Sequence, residues 1–234
     1  MSIETDAWKN AVEAVRASQH PTARLITATP AVGPLAVMPG AYNPPTRAHL
    51  ALAEAARTRG FDVVLFSLGT VTLDKPETGL ALHERLQLLA KIAEGREGLG
   101  VVLQNRGLYA EQAEALRALP GVDQVTFVVG MDKVEQIFDR AYYRDFAGTL
   151  ERLFAGARLL VAARGTLDRR AFDARLAAEP ARRFVDRIDW LALDPRWRPI
   201  SATAVRERLA RGEIPREWLP EAVEHYLRRR DPVF

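Results

Sequence analysis

The sequence has no cysteine among its 234 residues, and this absence excludes disulfide bonds and thiolate metal sites. It has no apolar run long enough to span a membrane. Its first residues, from Met1 to Trp8, are polar and acidic, which predicts that they are not a secretory signal. Together these absences predict a cytoplasmic protein without a membrane partner.

The sequence also lacks the patterns of a nucleic-acid or metal-binding protein. Its net charge is only +3, and no aromatic residues alternate with its basic clusters at 169–170, 182–183 and 228–230. The spacing of His20, His83 and His225 does not suit shared metal ligation. We therefore predict no nucleic-acid partner and no metal held by the protein itself. The apolar content of 48% supports one full core.

Short apolar segments alternate with helical patterns along most of the chain. Strand candidates lie at residues 34–38, 61–68, 101–103, 125–129, 159–162 and 188–193. Helical patterns separate them at residues 48–56, 80–93, 110–119, 133–138, 146–154 and 170–178. This alternation predicts an α/β fold with a doubly wound, mostly parallel sheet and helices on both faces. Ligands of such sheets bind past the carboxyl ends of the strands.

Residues 1–34 precede this pattern and are predicted to form an N-terminal extension to a main domain at 35–234. Trp8, Val12 and Val15 recur at helical spacing, which predicts an amphipathic helix. Such a helix docks on the core or on a second subunit, so a homo-oligomer is one prediction. Residues 25–29 are a further strand candidate.

Residues 37–49 read Val-Met-Pro-Gly-Ala-Tyr-Asn-Pro-Pro-Thr-Arg-Ala-His, a strand end, a glycine turn and a helix start. Gly40 permits unusual backbone angles and lets a ligand approach the peptide plane. Thr46 stands at the N-cap position, and His49 shares its face one turn later. Free N–H groups and the helix dipole make such a turn an anion site. Taken alone, an ordinary turn with a chance histidine explains the segment equally well.

Residues 200–206 read Ile-Ser-Ala-Thr-Ala-Val-Arg and predict a second helix start. Ser201 suits its N-cap, and Thr203 and Arg206 lie one turn apart on one face. Two hydroxyls and a guanidinium suit triphosphate oxygens. The alternative is an ordinary capped amphipathic helix.

These two segments resemble, in the same order, two motifs of the nucleotidyltransferase superfamily. The motifs are Gly-x-(Phe/Tyr)-(Asp/Asn)-Pro-x-(His/Thr)-x-x-His and Ile-Ser-x-Thr-x-x-Arg. The resemblance spans about residues 35–228 and is best to the nicotinate/nicotinamide-mononucleotide adenylyltransferase family. It implies a Rossmann-like fold and transfer of an adenylyl group from ATP to a phosphate-bearing mononucleotide, with Mg²⁺ on the phosphates. Such a transfer needs donors already placed for the leaving pyrophosphate.

The resemblance also implies roles for individual residues. It implies catalytic roles for Thr46, His49 and Arg206. It implies that ATP is bound by Gly40, Ala41, Tyr42, Asp132, Ile200, Ser201 and Thr203. It implies that the mononucleotide is bound by Lys75, Arg85 and Tyr109. The alternatives are a capped helix histidine at His49, a solvated helix cap at Asp132, and solvated surface side chains at Lys75 and Arg85.

Two departures from the family pattern leave the acceptor open. Thr46 stands where the bacterial nicotinate branch usually has histidine, and Ala110 replaces threonine in the loop that cradles the pyridine ring. The acid or amide preference is therefore undetermined. A pantetheine-phosphate adenylyltransferase-like enzyme, which shares Pro39-Gly40 and the Thr-x-x-His form, is an alternative. A second alternative is a paralogue that senses nucleotides without turnover.

Overall fold

The computed structural model describes residues 3–27, 34–71, 79–163 and 168–230. Within these ranges, none of the helices combines the length and the apolar character needed to cross a membrane.

One seven-stranded sheet forms the centre of the molecule, in the order β1-β4-β3-β2-β5-β6-β7. All neighbours are parallel except β1 and β4. The strands are β1 (Ala23–Leu25), β2 (Leu35–Pro39), β3 (Val63–Gly69), β4 (Leu99–Gln104), β5 (Val125–Gly130), β6 (Ala157–Ala162) and β7 (Ile188–Leu191). The middle strands are apolar on both faces because helices cover both faces.

The helices are α1 (Ile3–Arg16), α2 (Arg47–Arg57), α3 (Leu82–Ala93), α4 (Tyr109–Arg117), α5 (Met131–Ile137), α6 (Phe146–Gly156), α7 (Arg169–Leu176), α8 (Ala202–Leu209) and α9 (Glu221–Arg229). Short 3-10 helices occur at Arg140–Tyr142, Ala181–Arg187, Pro195–Trp197 and Arg216–Trp218. Helices α1, α2, α3, α8 and α9 contribute to one apolar core. Helices α4 to α7 contribute to the other. The predicted Rossmann-like, doubly wound architecture is confirmed.

Residues 3–27 add to this architecture at the sheet edge. The predicted amphipathic helix is α1, which buries Val12 and Val15 against α3 and β4 of its own chain. The predicted strand at 25–29 is wrong in its start, since β1 occupies Ala23–Leu25 and pairs antiparallel with β4. An antiparallel edge strand of three residues leaves almost no alternation to detect in the sequence.

The strand order places a crevice beside β2. The chain runs outward from β2 through β3 to β4, then returns to the other side of β2 with β5. Ligands of open α/β sheets bind at such a switch point, outside the carboxyl ends of the strands. The turn after β2 and the turn after β5 therefore border the expected site.

Candidate active site

The turn after β2 is held in one conformation by Tyr42. Its ring is buried and lies edge-on to Phe66, with centroids 5.6 Å apart, and its hydroxyl donates to the carbonyl of Met38. A Cβ on Gly40 would lie 2.9 Å from the Tyr42 ring. Glycine is therefore required because the ring packs over it. The expectation that Gly40 supplies unusual backbone angles is wrong, because the positive φ of 48° belongs to Tyr42.

Thr46 and His49 hydrogen-bond to each other at the start of α2. Thr46 is the N-cap, as predicted, and is 1% exposed. Its backbone N–H donates to His49 Nδ1 at 2.9 Å, and its hydroxyl lies 2.9 Å from the same nitrogen. Because a backbone N–H can only donate, Nδ1 accepts, and the neutral ring carries its proton on Nε2. Tyr42 supports the imidazole from the side at a centroid distance of 4.9 Å.

The start of α8 reaches the same turn through Arg206. Ser201 is the N-cap, as predicted, and its Oγ accepts from the Ala204 N–H at 3.0 Å. Arg206 Nη1 donates to the carbonyl of Asn43 at 2.6 Å, and Nη2 donates to Thr203 Oγ1 at 3.2 Å. The two motifs are thus joined by a direct hydrogen bond.

Ile200 lies just before this helix and is buried, with its N–H donating to Trp197 O at 3.2 Å. It anchors the approach to α8.

Arg85 of α3 also contacts the turn. It is only 4% exposed, and its Nη1 donates to the carbonyl of Ala41 at 3.1 Å. The alternative of a solvated surface arginine is therefore wrong. Lys75 lies outside the described residues.

Tyr109 is the first residue of α4, and Asp132 is the second residue of α5. Tyr109 is buried, with its ring edge-on to Phe127 at a centroid distance of 5.1 Å. Burial, and then the negative charge of Asp132, raise the pKa of Tyr109 well above its ordinary value. Asp132 is exposed at the second position of α5, whose N-cap is Gly130. The alternative of a solvated helix cap at Asp132 is therefore correct in its exposure and wrong in its cap position.

Buried polar side chains at the ends of β3 and β4 and in α4 were not singled out from the sequence. Gln104 Nε2 donates to Ser67 Oγ at 2.6 Å. Within the described part of the chain, Gln104 Oε1, Thr70 Oγ1 and Gln112 Oε1 are buried without a hydrogen-bond partner. Polar residues directly after apolar strands were the available signal, since strand ends border the ligand crevice.

The donor set suits phosphate oxygens better than a metal ion. An imidazole, a hydroxyl and two guanidinium groups lie at or contact the turn. Mg²⁺, by contrast, prefers carboxylate oxygens and substrate phosphates. Among the residues that the structure describes, no group of three or more His, Asp or Glu could hold a metal ion. A Mg²⁺ that accompanies ATP would therefore be held chiefly by the phosphates.

Comparisons with known proteins agree with this geometry. The cytidylyltransferase-like family profile matches residues 37–208. A Bordetella pertussis protein named "Probable nicotinate-nucleotide adenylyltransferase" is 30% identical over 199 residues, covering 82% of this chain and 94% of its own. A Syntrophotalea carbinolica protein of the same name is 28% identical over 218 residues, with 83% and 94% covered.

The fold also matches a solved structure. Nicotinic acid mononucleotide adenylyltransferase of Plasmodium falciparum, complexed with NaAD, gives a TM-score of 0.61 at 15% identity, over 83% of this chain and 94% of that chain. This likeness concerns the fold, whereas the profile and the relatives concern the sequence. The chain belongs to the cytidylyltransferase-like family of nucleotidyltransferases, in the group that contains the nicotinate-nucleotide adenylyltransferases.

Proposed function

We propose that the chain joins ATP to nicotinate mononucleotide, or to nicotinamide mononucleotide, in the biosynthesis of NAD. A phosphate oxygen of the mononucleotide attacks the α-phosphorus of ATP and forms the new P–O bond. The bond from the α-phosphorus to the bridging oxygen breaks, and pyrophosphate leaves with the electron pair. The names of the sequence relatives and of the solved structure support this acceptor class.

The observation that carries the proposal is the hydrogen bond from Arg206 to the carbonyl of Asn43, at 2.6 Å. It holds the guanidinium of α8 beside the turn that carries His49, so donors from both motifs converge on one place. The Nε2–H of His49 and the remaining N–H groups of Arg206 meet the charge that grows on the pyrophosphate. A donor placed in advance, as the imidazole of His49 is, stabilises that charge without reorganisation.

The other predicted residues line the two substrate sides in this proposal. On the ATP side, backbone and polar groups form the wall, from Gly40, Ala41, Tyr42, Asp132, Ile200, Ser201 and Thr203. We assign mononucleotide binding to Lys75, Arg85 and Tyr109. Thr46 fixes the imidazole of His49. Mg²⁺, when bound to the phosphates, neutralises part of their charge.

The domain division and the location are also proposals. We assign catalysis to residues 35–234 and place residues 1–34 as an extension whose α1 and β1 join the core and the sheet edge. We propose a cytoplasmic location, which the complete absence of cysteine supports.

One panel of acceptors tests the proposed reaction. Purified protein is given ATP, Mg²⁺ and, in turn, nicotinate mononucleotide, nicotinamide mononucleotide or phosphopantetheine. Pyrophosphate release and product mass are measured. A dinucleotide is expected with a pyridine mononucleotide. Product from phosphopantetheine alone would assign the chain to the pantetheine-phosphate alternative, and ATP binding without pyrophosphate from any acceptor would assign it to the sensor alternative.

A further inference from the structure

Asn43 joins the turn after β2 to two other segments through two different oxygens. Its main-chain carbonyl accepts from Arg206 Nη1 of α8 at 2.6 Å. Its side-chain Oδ1 accepts from the backbone N–H of Leu80, just before α3, at 2.9 Å. The residue is buried, with 9% exposure. One side chain and its own carbonyl thus link three separate segments.

The segment before α3 is shaped around this side chain. Gly79 has a φ of +82°, and a Cβ there would lie 2.7 Å from Asn43 Oδ1. The next backbone N–H after that of Leu80 belongs to Ala81, and it donates to Glu84 Oε2 at 2.6 Å. Each of the two amides that lead into α3 therefore has its own acceptor, and the turn supplies one of them. Loss of such an acceptor leaves a buried donor unsatisfied.

One helical turn after Leu80 and Ala81, α3 donates a hydrogen bond back to the turn that follows β2. Arg85 Nη1 of α3 donates to the carbonyl of Ala41 at 3.1 Å. The carbonyls of Ala41 and Asn43 thus each hold one guanidinium, from Arg85 and from Arg206. Under the proposed function these arginines serve the mononucleotide and the triphosphate, respectively. The turn therefore sets the separation of the two cations.

We propose that Asn43 is a positioning residue that fixes the mononucleotide-side arginine relative to the ATP-side arginine. Its side chain holds the start of α3, and its carbonyl holds α8, so the two phosphates are aligned for in-line attack. It acts through Arg85 and Arg206 and contacts neither substrate itself. The inference rests on the proposed function, because that function assigns the two arginines to the two substrates.

A pair of substitutions separates the acceptor oxygen from the size of the side chain. Asn43→Asp keeps Oδ1 in place, whereas Asn43→Ser is too short to reach the Leu80 N–H. Misplacement of about 1 Å costs on the order of a hundredfold in rate. Asn43→Ser should therefore lose about a hundredfold in kcat, with little change in the Kd for ATP or in the Kd for the mononucleotide. Asn43→Asp should recover most of the rate. Equal rates for the two variants would overturn the role of Oδ1.

Asn105 provides a matched control for lost stability. It is 2% exposed, its Oδ1 accepts from the Thr22 N–H at 2.8 Å, and its amide donates to Ser18 O and His20 O. Asn105→Ser should lower the Tm as much as Asn43→Ser while keeping kcat. Equal losses of kcat would mean that Asn43 is merely structural. If Asn43→Ser fails to fold, Gly79→Ala perturbs the same contact from the other side and should lower kcat likewise.

A binding measurement separates this inference from the proposed function. Affinity for a non-hydrolysable ATP analogue is measured with and without mononucleotide. The wild type should bind the analogue more tightly when mononucleotide is present. Asn43→Ser should reduce this gain in affinity by about tenfold. Wild-type protein that shows coupling but forms no dinucleotide would contradict the proposed function alone. Coupling that Asn43→Ser leaves unchanged would contradict the inference alone.

Discussion

The two helix starts that meet at the site are built in different ways. At α2, the cap residue Thr46 is buried, and its bonds to His49 span only three positions of the chain. At α8, the cap residue Ser201 is half-buried and Thr203 is exposed. The link from α8 to the turn is one guanidinium bond from Arg206 to Asn43, across 163 positions.

This difference separates a fixed donor from an adjustable one. His49 cannot reorient without breaking bonds to a buried cap and its contact with Tyr42. Arg206 is half-exposed and makes two hydrogen bonds. Its long side chain has more freedom than the imidazole of His49. A preorganised donor contributes chiefly to the transition state, whereas an adjustable one also binds the ground state. We therefore expect His49 to act mainly on rate and Arg206 to act on both rate and ATP affinity.

The largest expected effect is that of His49→Ala, which tests the fixed side of the comparison. Removing one preorganised donor lowers kcat by about a hundredfold to a thousandfold, or ~2.7–4 kcal/mol. The KM for the mononucleotide should change little. Single-turnover rates beside substrate titrations measure both quantities, and His49→Gln, which keeps an N–H donor, is the control. Near-normal turnover of His49→Ala would mean that His49 only supports the helix.

The local bonds of α2 explain why this half of the site was predictable. A strand end, a glycine, a cap residue and a histidine three positions later are consecutive in the sequence. Their hydrogen bonds form within that segment, so its spacing could place Thr46 at the N-cap and His49 on the same face. The six main strands were predictable for a similar reason, since apolar runs between helical patterns report burial on both faces.

The contacts of α8 and α3 with the turn were not predictable in the same way. The acceptors of Arg206 and Arg85 are backbone carbonyls of distant residues, and a carbonyl leaves no mark in the sequence. Burial of Arg85 at 4% also contradicts the usual preference of arginine for the surface. The start of β1 was misplaced because a three-residue edge strand is too short to show alternation. Each of these features depends on the assembled sheet.

The second-largest expected effect is that of substitutions at Arg206, which test the adjustable donor. Arg206→Lys keeps the charge but loses the planar pair of donors, so it should lower kcat and weaken ATP binding together. Arg206→Ala should do both more strongly, by about tenfold to a hundredfold in kcat/KM. ATP affinity and single-turnover rate are measured for each variant. A pure loss of rate at unchanged ATP affinity would show that Arg206 is as preorganised as His49 and would remove the distinction.

The smallest effect concerns α9, which packs against α3 away from the turn. The hydroxyl of Tyr226 donates to Glu84 of α3. Burial, and then this hydrogen bond, raise the pKa of Tyr226 from its ordinary value of 10.0 to about 12. The folded state therefore holds this proton more tightly than the unfolded state does. The resulting stabilisation is complete below pH 10 and is lost as the pH rises through 12.

Tyr226→Phe removes this titration and should lower the free energy of unfolding by about 1 kcal/mol at pH 8. The difference between wild type and variant should shrink between pH 10 and pH 12, because only the wild type loses the tyrosine proton on unfolding there. Urea unfolding of both proteins across that range measures this difference. Burial also raises the pKa of Tyr109 and of Tyr143, but both tyrosines are present in the two proteins, so their contributions cancel. Because α9 is anchored to α3 rather than to the turn, kcat should be unchanged. A variant that also loses kcat would mean that α9 affects the turn through Glu84 and its neighbour Arg85.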